Sequence, residues 1–555
     1  MKKYTGLPYI EVNSPLTKLI KWKISVLIGI CWVTSCQPTI TDATHPPQKR
    51  PNILLAISDD QSFPHVSIHG CQELATPHFD RVAREGVWFR NAFTSSPGCS
   101  PSRAAILTGL HSWQLGAAGT HASHFDTSFV VFPDLLEGAG YAIGFTGKGW
   151  GPGNWEISGR TRNPAGPAWQ EHTLKAPEGI NNKDYTANFR EFLNSRDDDQ
   201  PFYFWFGAHE PHRKFKKGLG KELGKDPSNV EVPTFLPDHE VVRSDMLDYF
   251  AEIEWFDKHL GQMIALLEDV GELENTLIIV TSDNGMAFPR AKANLYEYGF
   301  HVPLAMRWGE HLPKGLRIER PVSLVDLAPT ILAATQTQPS ANHDLPGSSL
   351  LNGIQAKTPH VSQPDFIISG RERHSSSRFH SLGYPQRAIR TSDFLYIYNF
   401  HPERWPAGAP QKYGKGNYPS NEELMQRQLG PMYGAYHDID ACPTMDFLIE
   451  MQTSEYEKFL QGAVDFRPQE ELFAISDDLG CLENLANNPN YSSLKDSLNE
   501  ILMSYLSEKG DPRLLGKGDM WETYPRYSRL REFPTPEWAI DNPLAIPEQE
   551  WLKQR

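Results

Sequence analysis

Four short apolar runs, each broken off by residues that carry chemistry, restrict the fold of this chain more than any other feature. Pro51-Asn-Ile-Leu-Leu-Ala-Ile-Ser58 stops at Asp59-Asp60, and Tyr141-Ala-Ile-Gly-Phe-Thr146 runs into Gly147-Lys148-Gly149-Trp150. Pro201-Phe-Tyr-Phe-Trp-Phe206 ends in Gly207-Ala-His209-Glu-Pro-His212, and Thr276-Leu-Ile-Ile-Val-Thr281 in Ser282-Asp283-Asn284-Gly285. Runs that are apolar throughout, rather than alternating, are strands buried on both faces beneath helices. The intervening segments supply those helices. Thr76 to Gly86 has a Thr cap, a first-turn proline and a Gly stop. Phe132 to Gly138 is a second helix. Residues 244–270 carry Phe250, Ile253, Phe256, Leu260, Ile264 and Leu267 at helical spacing, and Val322 to Ala334 is a further helix. Strands alternating with helices predict a mixed or parallel α/β sheet. Sites in such sheets gather at the carboxyl ends of strands, which places Asp59/Asp60, His209/His212 and Asp283/Asn284 together as candidates.

The pattern changes near residue 385. Gln386 to Asn399 predicts two short strands around a turn, 402–420 is a Pro- and Gly-rich loop, and Ser492 to Leu506 is a last helix before an aromatic tail. A chain of 555 residues accommodates this as one large domain, 51–385, and a smaller one, 386–555. A net charge of −15 gives no overall attraction to nucleic acid, so an anionic substrate must be drawn by local cations. Upstream, Lys18, Lys21 and Lys23 precede the apolar run Ile24 to Ser35, which is too short to span a bilayer. This arrangement reads as an export signal over 1–36. Cys36 after Val-Thr-Ser resembles a bacterial lipobox, which implies lipidation of Cys36, a tether over 37–50 and a periplasmic or cell-surface location. Beyond it only Cys71, Cys99, Cys442 and Cys481 remain, too few for a disulfide scaffold and without zinc spacing. A Cys442–Cys481 bridge is left open.

The densest chemical signal is Cys99-Ser-Pro-Ser-Arg103-Ala-Ala-Ile-Leu107-Thr-Gly109. It reads as a loop feeding a helix, with the cysteine at the helix N-terminus where free N–H groups favour negative charge. Arg103 lies one turn on. This ordered string resembles the signature of the formylglycine-dependent sulfatases, and the resemblance extends over nearly all of residues 51–500. Within that family, Asn91 to Ser95, Glu210-Pro-His-Arg213, Asp283 to Pro289 and Asn294-Leu-Tyr296 are most similar to the heparan N-sulfatase (N-sulfoglucosamine sulfohydrolase) branch. Glu471 to Asp478 resembles the last strand of sulfatase C-terminal domains.

The resemblance implies an alkaline-phosphatase-like α/β fold, a large mixed sheet flanked by helices, with a smaller C-terminal α+β domain built on an antiparallel sheet. It implies that a formylglycine-generating enzyme oxidises Cys99 to 3-oxoalanine. It also implies one calcium ion held by Asp59, Asp60, Asp283, Asn284 and residue 99. Oxygen-only donors of this kind select a hard cation, and calcium accepts irregular geometry more readily than magnesium. Arg103, Lys148, His212 and Lys292 match the sulfate-binding and proton-transfer positions, with Arg290 as an alternative to Lys292. His209, Arg373, His374 and Arg387 are candidate substrate contacts, and Arg371 is a further candidate beside Arg373. One departure stands out: sulfatases usually carry a histidine two residues after the lysine, where this chain has Trp150, so either another group, such as His209 or His121, replaces it or turnover of the formylglycine differs. The implied activity is hydrolysis of sulfate esters on a sulfated polysaccharide or oligosaccharide. The alternatives are an N-sulfoglucosamine sulfamidase, a phosphate-ester hydrolase of the same superfold, and an inactive surface glycan-binding protein.

Overall fold

The computed structural model describes residues 49–339, 344–355, 365–410, 436–528 and 530. The leader, Cys36, nearly all of the 37–50 tether and residues 411–420 of the expected loop lie outside these. No helix among the described residues is long and apolar enough to cross a membrane.

The apolar runs form the centre of an eight-stranded sheet. β1 (Asn52–Ser58), β2 (Val87–Phe93), β3 (Ala142–Gly147), β4 (Phe202–Gly207), β5 (Thr276–Ser282), β6 (His301–Arg307) and β7 (Leu316–Ile318) lie in the order β3-β4-β1-β5-β6-β2-β7. β8 (Val322–Ser323) adds to β2. β3, β4, β1 and β5 are parallel, whereas β6 runs antiparallel to both β5 and β2, which makes the sheet mixed.

Burial on both faces is visible residue by residue along β1. Ile53, Leu55 and Ile57 pack into one layer with Ala104 and Leu107 of α2 (Cys99–Thr108; α1 is Pro77–Arg84) and Leu136 of α3 (Phe132–Gly138). Leu54 and Ala56 pack into the other, against α1, α4 (Tyr185–Asn194) and, beyond the short α5 (Leu219–Glu222), the 30-residue α6 (Glu240–Asp269).

The sequence pattern missed β2 and β6 of the main sheet, as well as the short β7 and β8 and the strand β9 (Phe366–Arg371), and for the first two the pairing explains why. β2 and β6 shift register between Phe89 and Ala92, so Arg90 and Asn91 form an irregularity near Pro303. A proline cannot donate to the ladder and is tolerated where pairing is interrupted. The expected helix from Val322 is shorter: β8 comes first, then a 3-10 turn, and the helix runs Leu327–Ala334.

Thr76 does not cap α1 with its side chain. Its hydroxyl is engaged with Ser67, and the free N–H groups of His78 and Phe79 donate instead to the Asp257 carboxylate of α6, at 3.0 and 2.7 Å. Asp257→Ala therefore leaves two donors of a buried helix end unsatisfied. The expected cost is about 1–2 kcal/mol, read as a lower denaturant midpoint at unchanged sulfate-independent fold markers such as far-UV circular dichroism.

A second, antiparallel sheet has the order β12-β11-β10-β9, from β9 (Phe366–Arg371), β10 (Gln386–Thr391), β11 (Phe394–Asn399) and β12 (Glu470–Ala474). It begins at Phe366, ahead of the change in sequence pattern at 386, because β9 pairs with β10 along its whole length. Cys442 and Cys481 are both buried free thiols.

Candidate active site

Because β1, β3, β4 and β5 are parallel, their carboxyl ends deliver Asp59 and Asp60, Lys148, His209 and His212, and Asp283 and Asn284 to one edge of the sheet. The chain turns at Asp60 through the left-handed region (φ 77°), a conformation that Asp tolerates better than most residues. Asp59, Asp60 and Asp283 each bring a carboxylate oxygen within 4.8 Å of the others. The Asp60 N–H donates to Asp283 Oδ1 (3.1 Å) and the Asn284 amide to Asp60 Oδ1 (2.7 Å), fixing the cluster's mutual orientation.

Cations surround these carboxylates. Arg103, wholly buried one turn into α2, donates from Nε to Asp283 Oδ2 (2.6 Å) and from Nη1 to the Lys148 carbonyl (2.6 Å). Lys148 Nζ reaches Asp59 Oδ2 at 2.6 Å. Lys292 Nζ binds Asp60 Oδ2 (2.7 Å), Asp440 Oδ2 (2.8 Å) and His212 Nε2 (3.2 Å). Burial opposes the charge on Asp59, but Lys148, His212, Arg103 and Lys292 together outweigh it and hold the carboxyl well below the usual range. Asp283 goes the other way: burial, reinforced by Asp59, raises it despite Arg103. Burial likewise opposes the ammonium of Lys292, and Asp440 and Asp60 more than compensate.

Two atoms test whether a cation fits here. Asp59 Oδ1 and Asn284 Oδ1 are buried and accept no hydrogen bond. Orphaned buried oxygens of this kind are costly without a partner. An oxygen-only set with two open acceptors has the chemistry of a hard-cation site.

Cys99 is the first residue of α2, after Gly98, and is fully buried. Burial pushes its thiol up to about 11, with Lys148 offsetting part of the shift. His121 Nε2 lies 3.2 Å from its Sγ. Trp150 takes no part in this contact, since its indole N–H donates to the Ser100 carbonyl at 3.0 Å and so braces the first turn of α2.

The nine residues Asp59, Asp60, Cys99, Arg103, Lys148, His212, Asp283, Asn284 and Lys292 thus converge. His209 is nearby, buried enough to push its imidazole down to about 4. Arg290 is directed elsewhere, to the carbonyls of Gly462 and Cys481. Arg373 and His374 line a small cleft with Gly98, Pro101 and His121. Arg387 is the misfit among the candidate substrate contacts: its guanidinium is wholly buried between Asp511 and Glu372, in an ion-pair network rather than at the cleft. Arg371 lines the same cleft as Arg373 and His374, with its guanidinium also donating to Asp438 at 2.7 Å. Sequence reading missed Asp438 and Asp440, which follow no apolar run and have no local pattern to mark them.

Comparison with known proteins now bears on this edge of the sheet. Residues 51–337 match the family described as Sulfatase. The human N-sulphoglucosamine sulphohydrolase is 30% identical over 497 residues, covering 83% of this chain and 91% of that protein. An ulvan-active sulfatase of Formosa agariphila is 26% identical, covering 85% and 77%. Among solved structures, one bound to its substrate D-glucosamine-2-N,6-O-disulfate superposes with a TM-score of 0.58 at 19% identity, over 83% of this chain and 99% of that one. The fold is accordingly alkaline-phosphatase-like, and with the family match covering more than half of its length this chain belongs to the sulfatases.

Proposed function

We propose that this sulfatase removes sulfate esters from a sulfated polysaccharide or oligosaccharide, using formylglycine at position 99 and one calcium ion. The observation that carries the proposal is the pair of orphaned oxygens on Asp59 and Asn284, set among four ligand side chains beside the buried N-terminus of α2. When present, the hydrated aldehyde would supply a nucleophilic hydroxyl and a second hydroxyl for release of sulfate, and the cation would offset charge on both. The rest falls to the chain's own residues. Asp59, Asp60, Asp283 and Asn284 would hold the ion. Arg103 orients Asp283 and fixes the Lys148 backbone, while Lys148 and Lys292 offer ammonium groups to the sulfate oxygens.

His212 is the candidate proton donor to the leaving oxygen. Its Nδ1–H donates to the Arg213 carbonyl at 2.7 Å, which turns Nε2 toward the Lys292 ammonium at 3.2 Å. The pair thereby holds a shared proton at one point of the site. Loss of a proton donor matters most when the departing alcohol is weakly acidic. His212→Ala is expected to lower kcat on sugar sulfates by roughly 10²–10⁴-fold while sparing much of the activity on a nitrophenyl sulfate. An equal loss on both substrates would reassign the residue to sulfate binding, with His209 or a lysine as donor.

The proposal is tested by offering purified protein a panel of defined sulfated oligosaccharides and following sulfate release. Turnover of O-sulfated sugars is the expected result. A second reading, cleavage of N-sulfate from glucosamine, is favoured by the 30% identity to the human N-sulphoglucosamine sulphohydrolase. Activity confined to N-sulfated glucosamine would select it, and activity only on phosphate esters, or binding without turnover, would defeat both.

A further inference from the structure

His121 and Arg526 lie 405 residues apart in sequence and meet beside residue 99. Resting on the formylglycine reading above, we infer that His121 is a further catalytic residue, a neutral N–H donor to the side-chain oxygen of formylglycine 99, and that Arg526 is the positioning residue that sets its tautomer.

The geometry is specific. His121 is held by its backbone N–H, which donates to the Arg373 carbonyl at 3.0 Å, and its half-buried ring lies between Cys99 and Arg526 of the C-terminal segment. Nε2 approaches Cys99 Sγ at 3.2 Å, and Arg526 Nη1 approaches Nδ1 at 3.4 Å. A guanidinium has donors only. Nδ1 must therefore present its lone pair, and the single ring proton sits on Nε2, pointing at residue 99.

Arg526 is itself well fixed. Of the two Nη1–H groups, one is shared between His121 Nδ1 and the His121 carbonyl (3.1 Å) and the other donates to the His374 carbonyl (2.8 Å), tying together the two imidazoles of the cleft, whose ring centroids are 4.6 Å apart. On either side, Ser123 Oγ donates to the Pro525 carbonyl (2.7 Å) and the Tyr527 N–H donates to the Ala122 carbonyl (2.7 Å). Upstream, Glu522 is buried and accepts from Arg404 and from the Gly383 N–H, both at 2.8 Å. The C-terminal segment is thus bolted across the cleft at several points. Trp150 offers no competing proton donor to residue 99, because its indole N–H is committed to Ser100. A donor that stays neutral orients the oxygen of residue 99 without adding charge to the cluster of Asp59, Asp60, Asp283 and Asp440 with Arg103, Lys148 and Lys292.

The experiment compares wild type with His121→Ala, His121→Gln, Arg526→Ala and Arg526→Lys. In each, the mass of the peptide containing residue 99 reports conversion, steady-state kinetics are measured on a nitrophenyl sulfate and a sugar sulfate, and ¹⁵N-histidine NMR reports the tautomer. With conversion complete, His121→Ala should lose roughly 10²-fold in kcat on both substrates alike, with KM little changed, because the contact is to the nucleophile and not to the leaving group. His121→Gln keeps a donor and should recover part of the loss. Arg526→Ala should lose roughly tenfold and shift the His121 resonances away from the Nε2-protonated pattern, and Arg526→Lys should restore both. Complete conversion with kcat within threefold of wild type in His121→Ala, or an Nδ1-protonated His121 in wild type, overturns the assignment alone. An unconverted Cys99 in active wild-type enzyme overturns the formylglycine reading and the assignment with it.

Discussion

Cys99→Ala is expected to abolish turnover, by roughly 10⁴-fold or more, while leaving the fold intact. Cys99 is the first residue of α2, and its Sγ meets His121 Nε2 at 3.2 Å. Its removal would take away the group proposed to react and create only a small void. The thiol as encoded is no substitute nucleophile, since burial holds it protonated, up to about 11. The partner measurement is on wild type: the tryptic peptide Asn91 to Arg103 is expected about 18 Da lighter than its cysteine form, the change from CH₂SH to CHO. A fully active preparation that retains the cysteine mass would refute the mechanism, and so would an active Cys99→Ala protein.

The residues legible in the sequence are those whose signal is local. β1, β3, β4 and β5 announce themselves as apolar runs because both faces are buried, and Asp59, Asp60, Lys148, His209, His212, Asp283 and Asn284 all follow closely on their strand ends. β6 escaped because Pro303 sits within it and β2 because Arg90 and Asn91 interrupt its alternation, both at an irregularity where ladder pairing lapses. Arg387 reads as a charged candidate for substrate, yet its partner Asp511 is 124 residues away, and only the fold reveals that the charge is already neutralised. Asp440 on Lys292 and Arg526 on His121 are the same problem inverted: ordinary residues in unpatterned segments that long-range packing carries to the site. Local chemistry predicts what a strand end offers. It cannot predict what the other domain brings to it.

Asp283→Asn is expected to lower calcium affinity by at least roughly 100-fold and activity by about the same factor or more. Asp283 does three things at once: it belongs to the carboxylate cluster proposed to hold the ion, accepts the Asp60 N–H at 3.1 Å and accepts Arg103 Nε at 2.6 Å. Asparagine keeps the side chain's shape and one acceptor oxygen, enough for the Asp60 N–H, but removes the charge and with it the ionic partner of Arg103. Asp283→Ala would lose both acceptors as well, and breaking such a buried pair costs about 3–5 kcal/mol, so calcium affinity is read in Asp283→Asn alongside a denaturant midpoint that reports the cost to Arg103. The wild-type site carries its own pH signature. Burial and the neighbouring Asp59 push Asp283 up to about 6, so toward and below that pH a proton on this carboxylate would compete with the proposed ion. Calcium affinity should accordingly be flat above about pH 7 and weaken toward tenfold per pH unit below about pH 6, with one proton released per ion bound at low pH. In Asp283→Asn that slope should vanish. Calorimetric titration across pH 5–8 in buffers of different ionisation enthalpy measures both quantities. A pH-independent wild-type affinity, or stoichiometric zinc in place of calcium or magnesium on elemental analysis, would overturn the ligand assignment.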